Sequence, residues 1–293
     1  MDRMEFDALV ARGIVLMDGA MGSQLRTRGM PAGVCTELWA FEHPDVVRTV
    51  QKAYVDAGSD IIYAPTFTAN RMCLAMHGLE GRLAELNAGL VALAKEAAGG
   101  KALVAGDFST VGKPLEPVGP LSYEELLDIY REQIEVVVAA GVDLLGAETM
   151  LSIDECACFV EAATSVCDLP VMVTLTMESD GHLLLGGDAV EAVETLQAVG
   201  ASAVGLNCSV GPDQLESVVA SMKAVATVPV IAKPNAGIPV MDDKGVAHYS
   251  MTPERFTESM ARLVDAGAQI IGGCCGTGPE YIAALREMIG KRG

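Results

Sequence analysis

The stretch "AGVDLLGAETM", residues 140–150, joins the end of an amphipathic segment to a short apolar run. Gly141 is suited to stopping a helix, and the apolar run that follows it ends in polar residues. The same phrase recurs as "AGSDII" (57–62) and "AGAQII" (266–271). This repeated passage from a helix stop into a strand indicates a chain in which helices and parallel strands alternate.

Eight apolar runs of strand length follow this design along the 293 residues. They are "GIVLMDGA" (13–20), "DIIYAPTF" (60–67), "ALVAGDFS" (102–109), "VDLLGAETM" (142–150), "PVMVTLTM" (170–177), "AVGLNCSV" (203–210), "PVIAKPNAG" (229–237) and "QIIGGCCG" (269–276). Near-continuous apolar runs are typical of parallel strands that are buried on both faces. The sequence therefore predicts an α/β fold, a single (β/α)8 TIM barrel that spans residues 1–293.

Two of the intervening segments carry complete helix signals. In "SYEELLDIYREQIEVVVAAG" the predicted N-cap is Ser122, and the stop is Gly141. In "TPERFTESMARLVDAG" Thr252 is the predicted cap, Pro253 takes the first helical position, and Gly267 is the stop. Both segments are therefore expected to be helices that lead directly into a strand.

Composition argues against several classes of partner. The chain has 20 Lys and Arg against 39 Asp and Glu, a net charge of −19, so nucleic acid and anionic membranes should repel it. No run approaches the roughly 20 apolar residues of a membrane span. The N-terminal "MDRMEFDALVARG" lacks the apolar region of a signal peptide, which predicts a cytoplasmic protein. Eight cysteines in that compartment favour thiol or metal chemistry over disulfides.

Residues near the ends of these runs are the candidates for a functional site, because TIM barrels carry their active sites at the C-terminal ends of the strands. They are Asp18, Gly19, Ala20, Thr66, Asp107, Glu148, Asn207, Cys208, Lys233, Asn235, Cys274 and Cys275.

Three of these residues are thiols that should meet at one mouth of the barrel. Cys208 ends the sixth run, and Cys274 and Cys275 end the eighth. Three cysteinates with one open position are typical of a catalytic site that binds one zinc ion. Adjacent strand residues point to opposite faces, so the strand must end or bulge at the pair, which the flanking glycines permit. The alternative is that the pair consists of small buried hydrophobes.

The other five cysteines lack such a setting and are interpreted as structural. They are Cys35, Cys73, Cys156, Cys158 and Cys167.

Four motifs together carry a family resemblance: "MDGAMGSQL" (17–25), "GLNCSVGP" (205–212), "KPNAG" (233–237) and "GGCCGTGPE" (272–280). They resemble the homocysteine S-methyltransferase family, and within it the homocysteine-binding barrels of cobalamin-dependent methionine synthases. The resemblance covers nearly the whole chain. It implies zinc held by the three cysteines, and homocysteine bound to that zinc as a thiolate and methylated to methionine.

Further residues are expected to contact the substrate. Asp18 and Glu148 suit an α-ammonium group, which the resemblance supports, and the amides around Gly19 and Ala20 suit an α-carboxylate. Asp18 as a turn former and Glu148 as a salt-bridged residue of the barrel mouth remain alternatives.

Three more strand-end residues complete the expected substrate contacts. Asn207 and Asn235 are suited to orienting loops or to bonding the substrate, and Thr66 is the second-last residue of the second run. Asn235 also offers an oxygen that could serve zinc when substrate is absent.

The methyl donor is expected to come from outside this chain. The sequence ends soon after the eighth helical segment, which predicts no separate folate or corrinoid domain, so cobalamin would be present only on a partner protein. A methyl-corrinoid protein or domain is favoured, with S-methylmethionine or a betaine-like donor as alternatives. A quaternary ammonium cage prefers aromatic residues, and the chain has only one Trp, six Tyr and six Phe. A stand-alone protein and a piece of a larger synthase are both compatible with the sequence.

Two other classes of function are open at this point. The glycine-rich loop of residues 272–280 and Lys233 would suit a Schiff-base phosphosugar aldolase. A barrel that only stores zinc, or only docks a partner, would bind the metal without turning over homocysteine.

Overall fold

The protein is described by a computed structural model that covers residues 1–241 and 247–292. Residues 242–246 and Gly293, which belong to the expected domain of residues 1–293, lie outside the described residues. The strands are β1 (Val15–Leu16), β2 (Ile61–Tyr63), β3 (Leu103–Phe108), β4 (Leu144–Met150), β5 (Val171–Leu175), β6 (Ala203–Cys208), β7 (Val230–Pro234), β8 (Pro239–Met241), β9 (Ala247–Tyr249) and β10 (Ala268–Ile271).

Eight of these strands form one parallel sheet in the order β1-β10-β7-β6-β5-β4-β3-β2. A parallel bridge between Met17 and Ile61 joins the two ends of the sheet, so that the strands surround a common axis. Each of the eight strands begins within, or one residue before, one of the runs identified in the sequence. The predicted (β/α)8 TIM barrel is therefore confirmed.

Helices cover the outside of the barrel. They are α1 (Arg3–Ala11), α2 (Met21–Thr27), α3 (Thr36–Glu42), α4 (Pro44–Asp56), α5 (Arg71–Ala75), α6 (Leu83–Ala98), α7 (Tyr123–Ala139), α8 (Ile153–Val166), α9 (Ala189–Ala198), α10 (Glu216–Val225), α11 (Pro253–Asp265) and α12 (Pro279–Gly290). Two single turns of 3₁₀ helix lie at Glu80–Arg82 and Pro212–Gln214.

The two helix signals of the sequence are confirmed at α7 and α11. The Ser122 side chain accepts a hydrogen bond from the amide of Glu125, and the Thr252 side chain accepts one from the amide of Arg255. Gly141, just after α7, has φ of 87°, a left-handed conformation that glycine adopts without strain. Ser122 and Thr252 therefore fix where the two helices begin, and Gly141 marks the point after α7 from which the chain turns towards β4.

The interior of the barrel is closed at its N-terminal end. Phe6 and Val10 of α1 are buried in one cluster with a residue from every barrel strand. Those strand residues are Val15, Ile61, Tyr63, Ala105, Leu144, Met172, Ala203, Ile231 and Ile270. The opposite end, where the strands reach their C-termini, is the end left for a site.

Along the chain, β8 and β9 lie between β7 and α11, and they pair with each other in an antiparallel arrangement. Ile238, Val240 and Met241 are exposed there. Within the described parts of the chain, no helix is long and apolar enough to cross a membrane.

Candidate active site

The three predicted thiols lie where β6 and β10 have just ended. Cys208 is the last residue of β6, and its φ of 62°, like that of Ser209, turns the chain out of the strand direction. β10 ends at Ile271, so Cys274 and Cys275 follow the strand instead of lying within it. The amide of Thr277 donates to the carbonyl of Cys274 at 3.1 Å, closing a turn around the pair. The geometric condition for two adjacent thiols to face one point is therefore met.

The sulfur atoms of Cys208, Cys274 and Cys275 lie within 4.8 Å of one another. Among residues 1–241 and 247–292, no other group of three His, Cys, Asp or Glu side chains is brought together in this way. Three soft donors with room for a fourth ligand suit zinc better than magnesium or calcium. We call these three residues the thiol wall.

Hydrogen bonds link the three sulfurs into one electrostatic unit. Hydrogen bonds from Cys274 and then Cys275 lower the pKa of the Cys208 thiol to about 3, despite its burial. The pKa of Cys275 rises to about 11, first because its thiol donates to Cys208. Hydrogen bonds with Cys208 and Cys275 are at the same time the first causes that raise the pKa of the Cys274 thiol well above its ordinary value, so the thiol wall stabilises negative charge on Cys208.

Close packing explains the glycines around the cysteine pair. A Cβ at Gly273 would collide with the side chain of Thr277, and one at Gly276 would collide with the ring of Tyr249. Gly276 also has φ of 82°, which other residues rarely adopt. The glycines thus permit both the turn and the close approach of its neighbours.

A buried lysine lies between the two acids that were expected to bind an ammonium group. Lys233, 1% exposed, places its Nζ 3.3 Å from Asp18 Oδ1 and 3.0 Å from Glu148 Oε2. The second oxygen of Asp18 accepts a hydrogen bond from the amide of Tyr63 at 2.8 Å. Both acids are therefore already paired by the protein itself.

A third carboxylate, Asp107, lies beside this network. It is 6% exposed, and its Oδ1 is buried without a hydrogen-bond partner. We call Asp18, Asp107, Glu148 and Lys233 the acid wall.

Burial dominates the protonation behaviour of the acid wall. It raises the pKa of Asp18 and of Glu148 above their ordinary values, although Lys233 opposes the rise in both. Burial raises the pKa of Asp107 well above its ordinary value, and the charge of Glu148 adds to the rise. Burial alone would lower the pKa of Lys233, but the carboxylates of Glu148 and Asp18 raise it instead. The lysine is therefore held as a cation.

The thiol wall and three acids of the acid wall face one cavity of about 350 Å³. Gly19, Ala20, Tyr63 and Phe67 also line it. A cavity of this volume is in the size range of sites that bind small molecules.

The backbone near Gly19 and Ala20 differs from the expectation in one respect. The amide of Ala20 donates to the carbonyl of Thr277 at 3.1 Å, so it is already engaged within the protein. The structure therefore gives no support to this amide as a carboxylate ligand. A Cβ at Gly19 would approach Thr277 and Tyr54, which explains why glycine is needed there.

Thr66 is fully buried, and its hydroxyl is used inside the barrel. It donates to the carbonyl of Asp107 at 2.8 Å and accepts from the amide of Asp107 at 3.1 Å. Thr66 therefore positions Asp107, and the structure gives no support for direct contact with substrate.

The side chains of Asn207 and Asn235 contact two cysteines of the thiol wall. Asn207 accepts from the Thr149 amide at 2.7 Å and places its amide nitrogen 3.7 Å from the sulfur of Cys274. The side chain of Asn235 forms a hydrogen bond with Cys208, which lowers that thiol's pKa, and donates to the carbonyl of Ser209 at 2.9 Å. The Oδ1 of Asn235 is buried without a partner. Neither side chain is part of the cavity lining.

Sequence reasoning did not assign two residues of the acid wall to the substrate site. Asp107 carried the right signal, an acid at a strand end, but nothing in the sequence showed that its carboxylate would lack a partner. Lys233 was considered only as a Schiff-base nucleophile, because its pairing with Asp18 spans 215 residues.

Fold and site together define a (β/α)8 barrel that carries three thiols able to hold a metal ion at the C-terminal ends of its strands. A family model described as homocysteine S-methyltransferase matches residues 15–289. The chain therefore belongs to the homocysteine S-methyltransferase family.

The sequence is also similar to those of two methionine synthases. A methionine synthase of Mycobacterium tuberculosis is 29% identical, over 96% of this chain and 25% of its own length. A methionine synthase of Mycobacterium leprae is 28% identical, with the same coverage of 96% and 25%. The chain thus spans about a quarter of the length of these relatives.

Among solved structures, the metallated form of the homocysteine methyltransferase MmuM from Escherichia coli is similar to this chain. The TM-score is 0.79 and the identity 25%, over 96% of this chain and 98% of MmuM.

Proposed function

We propose that this chain is a zinc-dependent methyltransferase that binds homocysteine by its sulfur and methylates it to methionine. The observation that carries the proposal is the pairing of the two walls in one cavity. The thiol wall suits a metal that takes a substrate sulfur, and the acid wall suits the ammonium group of the same molecule. Family membership supports homocysteine as the acceptor.

Zinc is proposed at Cys208, Cys274 and Cys275, one ion per chain. When bound there, zinc supplies a Lewis acid that keeps a coordinated substrate thiol deprotonated at neutral pH, where a free thiol, with a pKa of about 8.5, is mostly protonated. The three cysteines hold the metal, and the amide of Asn207 supports Cys274. The acid wall holds the amino-acid end, so that the substrate sulfur is directed towards the thiol wall.

The methyl group is proposed to come from a donor outside this chain, with a methyl-corrinoid protein or domain favoured. The similarity to methionine synthases supports this choice, because this chain matches only a quarter of those proteins. The near-complete coverage of MmuM supports the alternative, a barrel of this length that uses a small donor such as S-methylmethionine.

The Schiff-base aldolase is disfavoured by the state of Lys233. A Schiff base needs a neutral amine that can reach a carbonyl, and the enzymes that use one lower its pKa. Here the amine is in contact with two carboxylates that raise its pKa.

The test is a metal assay combined with activity on homocysteine. Methylcobalamin, S-methylmethionine and betaine would be compared side by side, with methionine measured as the product. Turnover with one donor, and its loss on chelation of zinc, would support the proposal. Zinc binding without turnover by any donor, including a methyl-corrinoid protein, would instead favour storage or docking.

A further inference from the structure

The acid wall contains more negative charge than its single lysine balances. Asp18, Asp107 and Glu148 are three buried carboxylates, and Lys233 pairs with only two of them. Both oxygens of Asp18 have partners, one in Lys233 and the other in the amide of Tyr63. Asp107 is therefore the carboxylate of the acid wall that has no direct ion-pair partner among the described residues.

The carboxyl group of Asp107 has an oxygen without a hydrogen-bond partner and lies in the wall of the cavity. Among the buried side-chain atoms of the described residues, Asp107 Oδ1 is the only carboxylate oxygen without a hydrogen-bond partner. Asp107 lines the cavity together with Asp18, Glu148 and the thiol wall. A buried polar atom without a partner costs free energy, so an incompletely paired carboxyl group in the wall of a cavity indicates a missing ligand.

The backbone holds Asp107 in a fixed place. Its amide and carbonyl are both bonded to the hydroxyl of Thr66, and it is paired in register with Gly146 of β4. The side chain therefore leaves a rigid strand end, which is the arrangement that precise ligand binding requires. Burial and the charge of Glu148 raise the pKa of Asp107, and a bound cation would oppose both effects.

We propose that the carboxylate of Asp107 accepts a hydrogen bond from the α-ammonium group of the bound amino-acid thiol. Asp107 is then a substrate-binding carboxylate beside Asp18 and Glu148, and the one whose binding capacity Lys233 leaves open. The inference rests on the proposed function for the identity of the ligand, homocysteine. It makes Asp107 a specificity residue, which distinguishes an amino-acid thiol from a thiol that carries a carboxylate alone.

The test compares two thiols that differ only in the ammonium group. Homocysteine and 4-mercaptobutanoate are titrated calorimetrically into the zinc-loaded wild-type protein and into the Asp107→Asn variant. We expect the variant to bind homocysteine about 10- to 100-fold more weakly, as for the loss of a hydrogen bond to a charged group. Its affinity for 4-mercaptobutanoate should change by less than about threefold.

Equal weakening for both thiols, or no weakening for homocysteine, overturns the assignment of Asp107. Asp154→Asn, an exposed acid on α8, is the matched control and should leave both affinities unchanged. Zinc content and circular dichroism establish that each variant is folded, and Asp107→Ser replaces Asp107→Asn if the latter is not. If the wild-type protein binds neither thiol, the substrate assignment itself is wrong. If the wild-type protein binds homocysteine and Asp107→Asn binds it equally well, the role of Asp107 is refuted but the substrate assignment is not.

Discussion

The thiol wall and the acid wall face the same cavity but are built in opposite ways. The thiol wall is made from turns that follow β6 and β10, and its residues are half-buried. The acid wall is made from buried strand ends, where Lys233 already neutralises part of the charge. The thiol wall presents three sulfurs to the cavity, whereas the acid wall keeps charged groups buried at a cost in stability.

This difference predicts which property a substitution in each wall will change. Changes in the thiol wall should act on metal binding, because its sulfurs have few other structural roles. Changes in the acid wall should act on folding as well as on ligand binding, because its charges depend on one another.

The largest expected effect on stability is that of Lys233→Met, which removes the cation that pairs with two buried carboxylates, Asp18 and Glu148. We expect a loss of about 3 to 5 kcal/mol in the free energy of unfolding, because both acids lose their partner. Urea denaturation measures it. Lys52→Met, at an exposed lysine paired with Asp56, is the control and should cost less than about 1 kcal/mol. A loss for Lys233→Met as small as that of the control would show that the acid wall does not depend on its lysine.

Asn207→Ala should act on the thiol wall instead. It removes the amide beside Cys274 and the hydrogen bonds that hold Thr149 at φ of 59°. We expect zinc affinity to fall by about 10- to 100-fold, as is typical when support behind a metal ligand is lost. Competition with a chelator measures the affinity. Asn207→Asp keeps the acceptor for Thr149 but loses the donor to Cys274, so its effect should be intermediate. Unchanged zinc affinity in both variants would contradict the supporting role.

Asp107→Asn should stabilise the ligand-free protein at the expense of ligand binding. The carboxyl ionises near its ordinary pKa of 3.8 in the unfolded chain but at a higher pH in the folded protein. The protonated form of Asp107 therefore contributes stability below pH 3.8, and this contribution is lost as the pH rises from 3.8 towards the higher pKa of the folded protein. We expect the variant to be more stable by about 1 to 2 kcal/mol at pH 8, with the difference shrinking towards pH 4. Thermal unfolding at several pH values measures this. A variant that is less stable than wild type at every pH would refute it.

The smallest effect is expected from Thr66→Val, which removes the hydroxyl that bonds the backbone of Asp107. We expect a loss of about 1 kcal/mol, measured by urea denaturation. Thr66→Ser retains the hydroxyl and should lose clearly less. Equal losses in the two variants would mean that the hydroxyl does not hold the strand end.

The sequence predicts the thiol wall better than the acid wall for a physical reason. Cys208, Cys274 and Cys275 each lie at the end of an apolar run, and a closed parallel barrel brings all such ends to one face. The bend at the cysteine pair could also be anticipated, because neighbouring glycines permit it.

The partners within the site could not be predicted in this way. Lys233 pairs with Asp18, which is 215 residues away in the sequence. The amide of Ala20 donates a hydrogen bond to Thr277, which is 257 residues away. Such contacts depend on the register of neighbouring strands and on the path of loops, which local patterns do not encode. The (β/α)8 architecture depends only on periodicity and caps, so it could be predicted from local signals.

The most direct test of the central claim is the number of sulfur atoms around zinc, measured by X-ray absorption spectroscopy of the zinc-loaded protein. We predict three sulfurs and one lighter atom without homocysteine, and four sulfurs after homocysteine is added. Cys208→Ala should lose the metal, whereas Cys167→Ala should retain both spectra. A sulfur count that does not change on adding homocysteine would contradict the account.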